Sequence, residues 1–168
     1  RTGRGRLIAG SLTKELRRNY EASQQYGEVY PLIYPVTVCP TCFYAVYQND
    51  FDKVPESAVE QLSVEGERRK GAVDQLFDYL DFTEPRRLQE GIASYILAIL
   101  CYDQFPKQFS PKFKQGLSAL RAAWLAGDLH RKMPSENYDY LQRILYRKAR
   151  FFYSVAVEWE QNGREPLS

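Results

Sequence analysis

The chain has few of the residues that enzymes most often use for chemistry: one histidine, three cysteines and one methionine among 168 residues. One histidine excludes a histidine metal cluster, and the sequence shows no catalytic triad arrangement and no phosphate-cradling glycine loop. No apolar run approaches the roughly 20 residues needed to cross a bilayer. The longest, from Ile92 to Cys101, is broken by Ser94 and suits a buried central helix better than a membrane span. An odd cysteine count argues against a secreted disulfide framework, so a reducing, cytoplasmic setting is expected. A formal charge of +2 is too small to imply a nucleic acid or membrane partner by itself.

What is present is core material. The hydrophobic fraction is 44%, with 13 tyrosines and nine phenylalanines, enough for one domain or a small lobe joined to a larger one. Because it begins at Arg1 rather than Met, an upstream portion is expected.

Two regions differ in character, 1–54 and 55–168. The first is rich in Arg, Tyr, Gly and Pro and lacks sustained helical periodicity. Within it, Thr13 is placed to cap a short helix running to Tyr20. The β-branched and aromatic stretch from Tyr30 to Val38 reads as extended, and Pro31 and Pro35 confine it to an edge or irregular strand.

The second region reads as helices. Apolar residues at helical spacing span 56–80, with Gly66 and Gly71 as candidate breaks. A helix from about Glu84 to Tyr102 is apolar on most faces and is expected at the centre. The next is expected to start at Ser110 as N-cap, followed by Pro111. Ser135 is the expected cap of the last and longest helix, and Asn162-Gly163 its stop. Short connections imply antiparallel αα-hairpins. The segment from Leu120 to Gly127, paired with 145–156, is similar to one tetratricopeptide unit. The expected fold class is therefore mostly α, with tetratricopeptide-like αα-hairpins and a small irregular N-terminal lobe resembling part of a zinc ribbon.

One motif carries chemistry. Cys39-Pro40-Thr41-Cys42 places two thiols three positions apart, a spacing that grips one tetrahedral zinc ion. A closed structural site needs four ligands, and the remaining candidates here are weak. Cys101 lies in the most apolar helix and reads as a core thiol, His130 as a solvated surface residue, and Asp50 and Asp52 as poor partners for a thiolate site. The missing ligands are expected upstream of Arg1. A thioredoxin-like redox pair is the competing reading, but it needs a βαβ context that the sequence after Cys42 does not show. Glu56/Glu60 and Glu158/Glu160 read as solvated helix faces, so no catalytic or organic-cofactor residue is assigned. Arg1, Arg4, Arg6, Lys14, Arg17 and Arg18, followed by Tyr20, Tyr26, Tyr30 and Tyr34, offer a basic aromatic surface for nucleic acid as an alternative function.

The blocks Arg6-Leu7-Ile8, Leu16-Arg17-Arg18-Asn19-Tyr20 and the stretch from Tyr34 to Ala45 around the cysteine pair resemble a bacterial family labelled domain of unknown function 2225. Asp50-Phe51, the stretch from Ala93 to Ala98, and Ala123-Trp124-Leu125 resemble its later blocks. The resemblance implies a zinc-ribbon-like part with two CPxC-type pairs, of which the second maps onto Cys39 and Cys42, followed by a tetratricopeptide-like part. Where the family commonly places glycine after that second cysteine, this chain carries Phe43. The resemblance implies no activity. The expected function is a non-enzymatic module for a protein or peptide partner, with a structural zinc knuckle.

Overall fold

The computed structural model describes residues 9–22 and 27–167. The chain divides into two compact units, 1–31 and 32–168.

In the first unit, β1 (Ala9–Leu12) pairs antiparallel with β2 (Arg18–Tyr20). The short helix expected from Thr13 to Tyr20 is therefore corrected to a hairpin. The Thr13 N–H donates to the Arg17 carbonyl at 2.8 Å, and the Arg17 N–H donates to the Thr13 hydroxyl at 3.1 Å. The threonine closes a loop rather than a helix, because Leu12 and Leu16 alone offer no face to bury; Leu16, at φ +61°, is 76% exposed.

The second unit opens with a single 3-10 turn, Pro31–Ile33, followed by β3 (Val36–Val38) and β4 (Ala45–Tyr47). The extended stretch expected from Tyr30 is thus a turn and then a strand, with Pro35 marking the change. The two strands pair antiparallel in the register Val36↔Tyr47, Thr37↔Val46 and Val38↔Ala45. Val36, Val38, Ala45 and Val46 are all buried. After the four-residue α1 (Gln48–Phe51) come α2 (Glu56–Val64) and α3 (Gly66–Asp74), which meet at Glu65 beside the expected break at Gly66.

The central helix is α4 (Leu88–Tyr102), in which every residue but Gln89, Ile96 and Leu100 is buried. It starts four residues later than the sequence suggests. Glu90 fixes the start: its carboxylate accepts the Arg87 N–H at 3.0 Å and pairs with the Arg87 guanidinium at 2.5 Å, closing a capping box. Gly91 lets α4 come close to the hairpin, since a Cβ there would sit 2.7 Å from Cγ2 of Ile33.

Two longer helices complete the unit, α5 (Pro111–Lys132) and α6 (Tyr138–Gln161). They form a helical hairpin in which α5 lies between α4 and α6. Ser110 is not the expected side-chain cap. It takes the left-handed conformation, and the Lys112 N–H donates instead to the Glu165 carboxylate at 2.7 Å. Nor does Ser135 cap α6, whose first helical residue follows Asn137. The stop at Asn162-Gly163 is as expected, with Gly163 at φ +66°. Small residues line the α5 seam: Ala119, Ala122, Ala123 and Ala126 are fully buried. Ile99 of α4, Ala119 and Ala149 of α6 form a shared cluster with Leu120, Phe152 and Tyr153 against it.

Candidate metal knuckle

Cys39-Pro40-Thr41-Cys42 forms the connection between β3 and β4. The Cys39 N–H donates to the Tyr44 carbonyl at 2.8 Å, and the Phe43 N–H donates to the Cys39 carbonyl at 2.9 Å, so the backbone folds tightly around the motif. Phe43 takes φ +56°, the left-handed conformation that glycine adopts without penalty. The departure from glycine at this position therefore leaves the turn as glycine would make it. The phenylalanine ring has its own support, an edge-on contact with Phe82 at 5.2 Å and the Lys70 ammonium 5.7 Å above it.

The N–H groups of Cys42 and Thr41 interact with the Cys39 thiol and, against a smaller opposing effect of burial, hold it below its ordinary value. The Cys42 side chain lies close enough to contribute in the same direction. A lowered thiol favours the thiolate, the form that ligates a metal. Cys39 is half-buried and Cys42 exposed, so the open side of the turn faces outward.

Helices hold the hairpin by its backbone. The Ala45 N–H donates to the Cys101 sulfur at 3.4 Å, and the Tyr47 N–H to the Tyr102 hydroxyl at 3.1 Å. Tyr102 in turn donates to Asp50 at 2.6 Å, and Lys114 of α5 pairs with the same carboxylate oxygen at 2.5 Å. Arg86 donates to the carbonyls of Ile33 and Val36 at 2.9 and 2.8 Å, and Tyr95 to that of Leu32 at 2.7 Å. On the knuckle itself, Arg69 of α3 donates to the Cys42 carbonyl at 3.2 Å.

Cys101 is the core thiol expected from its helix. It is fully buried, and burial pushes its thiol up to about 11. Asp50 is committed to Tyr102 and Lys114, and Glu56, Glu60, Glu158 and Glu160 are exposed on helix faces. His130 is not the solvated residue expected. It is half-buried on α5, and its Nδ1 is covered with no hydrogen-bond partner among the described residues. Arg1, Arg4, Arg6 and Tyr26 of the basic aromatic stretch lie outside the described residues. Among the described residues, no group of three or more His, Cys, Asp or Glu side chains is placed to hold a metal ion. The knuckle, then, is two thiols on a preformed turn.

The family model described as "Uncharacterized protein conserved in bacteria (DUF2225)" matches residues 1–168. The chain belongs to this bacterial family. An uncharacterized protein of Borreliella burgdorferi is 43% identical over 168 residues, covering 99% of this chain and 60% of the relative. The chain thus spans about three-fifths of the length of that relative. No solved structure matches. Among the described residues, no helix is long and apolar enough to cross a membrane.

The residues that sequence reading missed are the ones that grip the hairpin. Arg69 sits in the run Arg68-Arg69-Lys70, which looks like a solvated helix face. A signal was available: Gly66, Arg69 and Val73 fall three and four positions apart and are the buried residues of α3.

Proposed function

We propose that this chain is a non-enzymatic interaction module of its bacterial family, in which Cys39 and Cys42 supply half of a structural zinc site. The remaining ligands, a second cysteine pair, would come from the protein upstream of Arg1. The observation that carries this reading is the turn: a tight β3–β4 connection that sets two thiols three positions apart, with a left-handed residue after the second cysteine. When bound, zinc would cross-link the hairpin to the ligands that complete its tetrahedron, adding stability to a small β element that has only three pairs of strand residues. The free thiols suit a reducing, cytoplasmic compartment.

The helical part supports the interaction half of the reading. The α5–α6 hairpin is read as tetratricopeptide-like, and α6 turns two large aromatic side chains outward. Tyr140 is 59% and Phe151 60% exposed, with the exposed Arg147 between them on the same face. Exposed aromatics of this kind suit a protein partner.

Elemental analysis of the protein extended to its natural start tests the metal half. One zinc per chain is expected, with loss when Cys39 and Cys42 are both changed to Ser. An extended protein free of zinc, whose Cys39→Ser/Cys42→Ser variant melts at the same temperature, would remove the knuckle. A second reading has one observation in its favour: the lowered Cys39 thiol also suits thiol–disulfide exchange. It predicts a reversible Cys39–Cys42 disulfide in glutathione buffers, and zinc-protected thiols that resist oxidation would count against it.

A further inference from the structure

Arg69 is 2% exposed, yet only one of its three guanidinium nitrogens is satisfied. Nη2 donates to the Cys42 carbonyl at 3.2 Å, while Nε and Nη1 are buried and have no hydrogen-bond partner among the described residues. The carboxylate one helical turn before it, Glu65, accepts from Gln61 at 2.9 Å and faces Arg68 at 3.9 Å instead. A covered guanidinium without an anion is costly, and native structures place one only where an acceptor or a negative charge meets it. The same helix sets Lys70 over Phe43, so α3 turns two cations toward the knuckle. Its first residue, Gly66, lies beside the same carbonyl, where an added Cβ would sit 3.8 Å from the Cys42 oxygen in ordinary contact.

A zinc ion held by four thiolates carries a net charge of −2, since the thiolates outnumber the metal charge. We propose that Arg69 is the buried charge partner of the loaded knuckle: it positions Cys42 through the carbonyl and offsets the excess negative charge of the metal–thiolate group. This rests on the zinc reading given above. It explains a feature that the metal-free turn leaves without an account, a cation buried beside Cys42 with donors to spare. Arg69 is a positioning residue, acting through Cys42.

The test uses the protein from its natural start, with cobalt(II) and zinc as probes and Arg69→Gln and Arg69→Lys as variants. Glutamine keeps a donor for the Cys42 carbonyl and removes the charge; lysine keeps the charge. Both variants should retain one metal per chain and the sulfur-to-cobalt charge-transfer absorption. Arg69→Gln should bind zinc at least tenfold more weakly in chelator competition, while its metal-free form melts at or above the wild-type temperature. Arg69→Lys should recover most of the affinity. Equal zinc affinity in the Gln and Lys variants, with metal-free and loaded forms destabilised alike, would make Arg69 a packing residue and overturn the inference while leaving the knuckle standing. A wild-type protein that takes up neither metal would overturn both, and that failure shows before any variant is made.

Discussion

The two sides of the second unit are held together in different ways. On the hairpin side, side chains of the helices and of the segment before α4 reach in and bond to backbone: Cys101 and Tyr102 to β4, Arg86 and Tyr95 to the segment leading into β3, and Arg69 to the knuckle. On the α5–α6 side, the seam is built from alanines and glycines. A Cβ at Gly116 would lie 2.9 Å from the Tyr153 ring, which measures how closely the helices approach. A seam of small residues tolerates slight shifts because many weak contacts share the load. Hydrogen bonds to the backbone of one turn fix its position, which is what a ligand-bearing loop requires.

The sharpest way to break this contrast is to remove a polar anchor from each side. Asp50 is 7% exposed and accepts from both Tyr102 and Lys114. Asp50→Ala should cost about 3–5 kcal/mol, because it strands a buried hydroxyl and an ammonium. The ion pair of Arg143 with Asp139 on α6 is exposed on both partners, and Asp139→Ala should change stability by less than about 0.5 kcal/mol. Urea unfolding of the two variants checks the difference. Similar losses in both would mean that the hairpin side is no more dependent on its anchors than the helical seam.

The glycines give a second, smaller test. Gly91→Ala drives a methyl group into Ile33, including a 3.2 Å approach to its Cα, so the backbone itself must yield. A loss of about 1–3 kcal/mol is expected, more than the roughly 1 kcal/mol gained from helix propensity. Gly127→Ala meets the amide end of Gln142, which can swing away. That change should leave stability unaltered or raise it by up to about 1 kcal/mol. Thermal melts that order the pair the other way would show that the hairpin approach is the softer of the two.

How far the sequence foretold these two sides follows from the same contrast. The helical seam was legible: the period of its apolar residues and the Gly163 stop both speak through local spacing, as does the Gly66 break on the other side. The cysteine pair was legible as a motif. The grip on it was not, since a bond between Arg69 and Cys42 joins residues 27 apart, and one between Tyr102 and Asp50 joins residues 52 apart. Reading Gly66 only as a breaker hid the stripe it begins. At the start of α5 the misplaced cap has a similar cause, because Glu165 reaches Lys112 across 53 residues. In the first unit, the hairpin was masked by a threonine that suits loop and helix alike.

Glu165 is the exception that sharpens the comparison, a polar anchor on the packed side. It is 3% exposed, and burial raises its carboxyl above the ordinary value of 4.5 even though the Lys112 N–H and ammonium favour the charged form. A carboxyl raised on folding makes the native chain hold more protons than the unfolded one in the window between the two values. Its contribution is then fully present below the unfolded value and is lost as pH rises through the folded one. Glu165→Gln keeps an acceptor for Lys112 without the charge. The variant should gain on the wild type as pH rises from the unfolded value through the folded one, and the gap should then stay level. Glu90 behaves in the opposite sense. Burial works to raise it, but the Arg87 side chain and N–H outweigh that and leave it lowered, so its contribution is present at neutral pH and is lost as pH falls through its folded value. Melting temperatures of Glu165→Gln and Glu90→Gln across that range should therefore move apart from the wild type in opposite directions at neutral pH. Parallel curves would mean that Glu165 is held charged by Lys112 after all, and that both sides of the molecule are anchored alike.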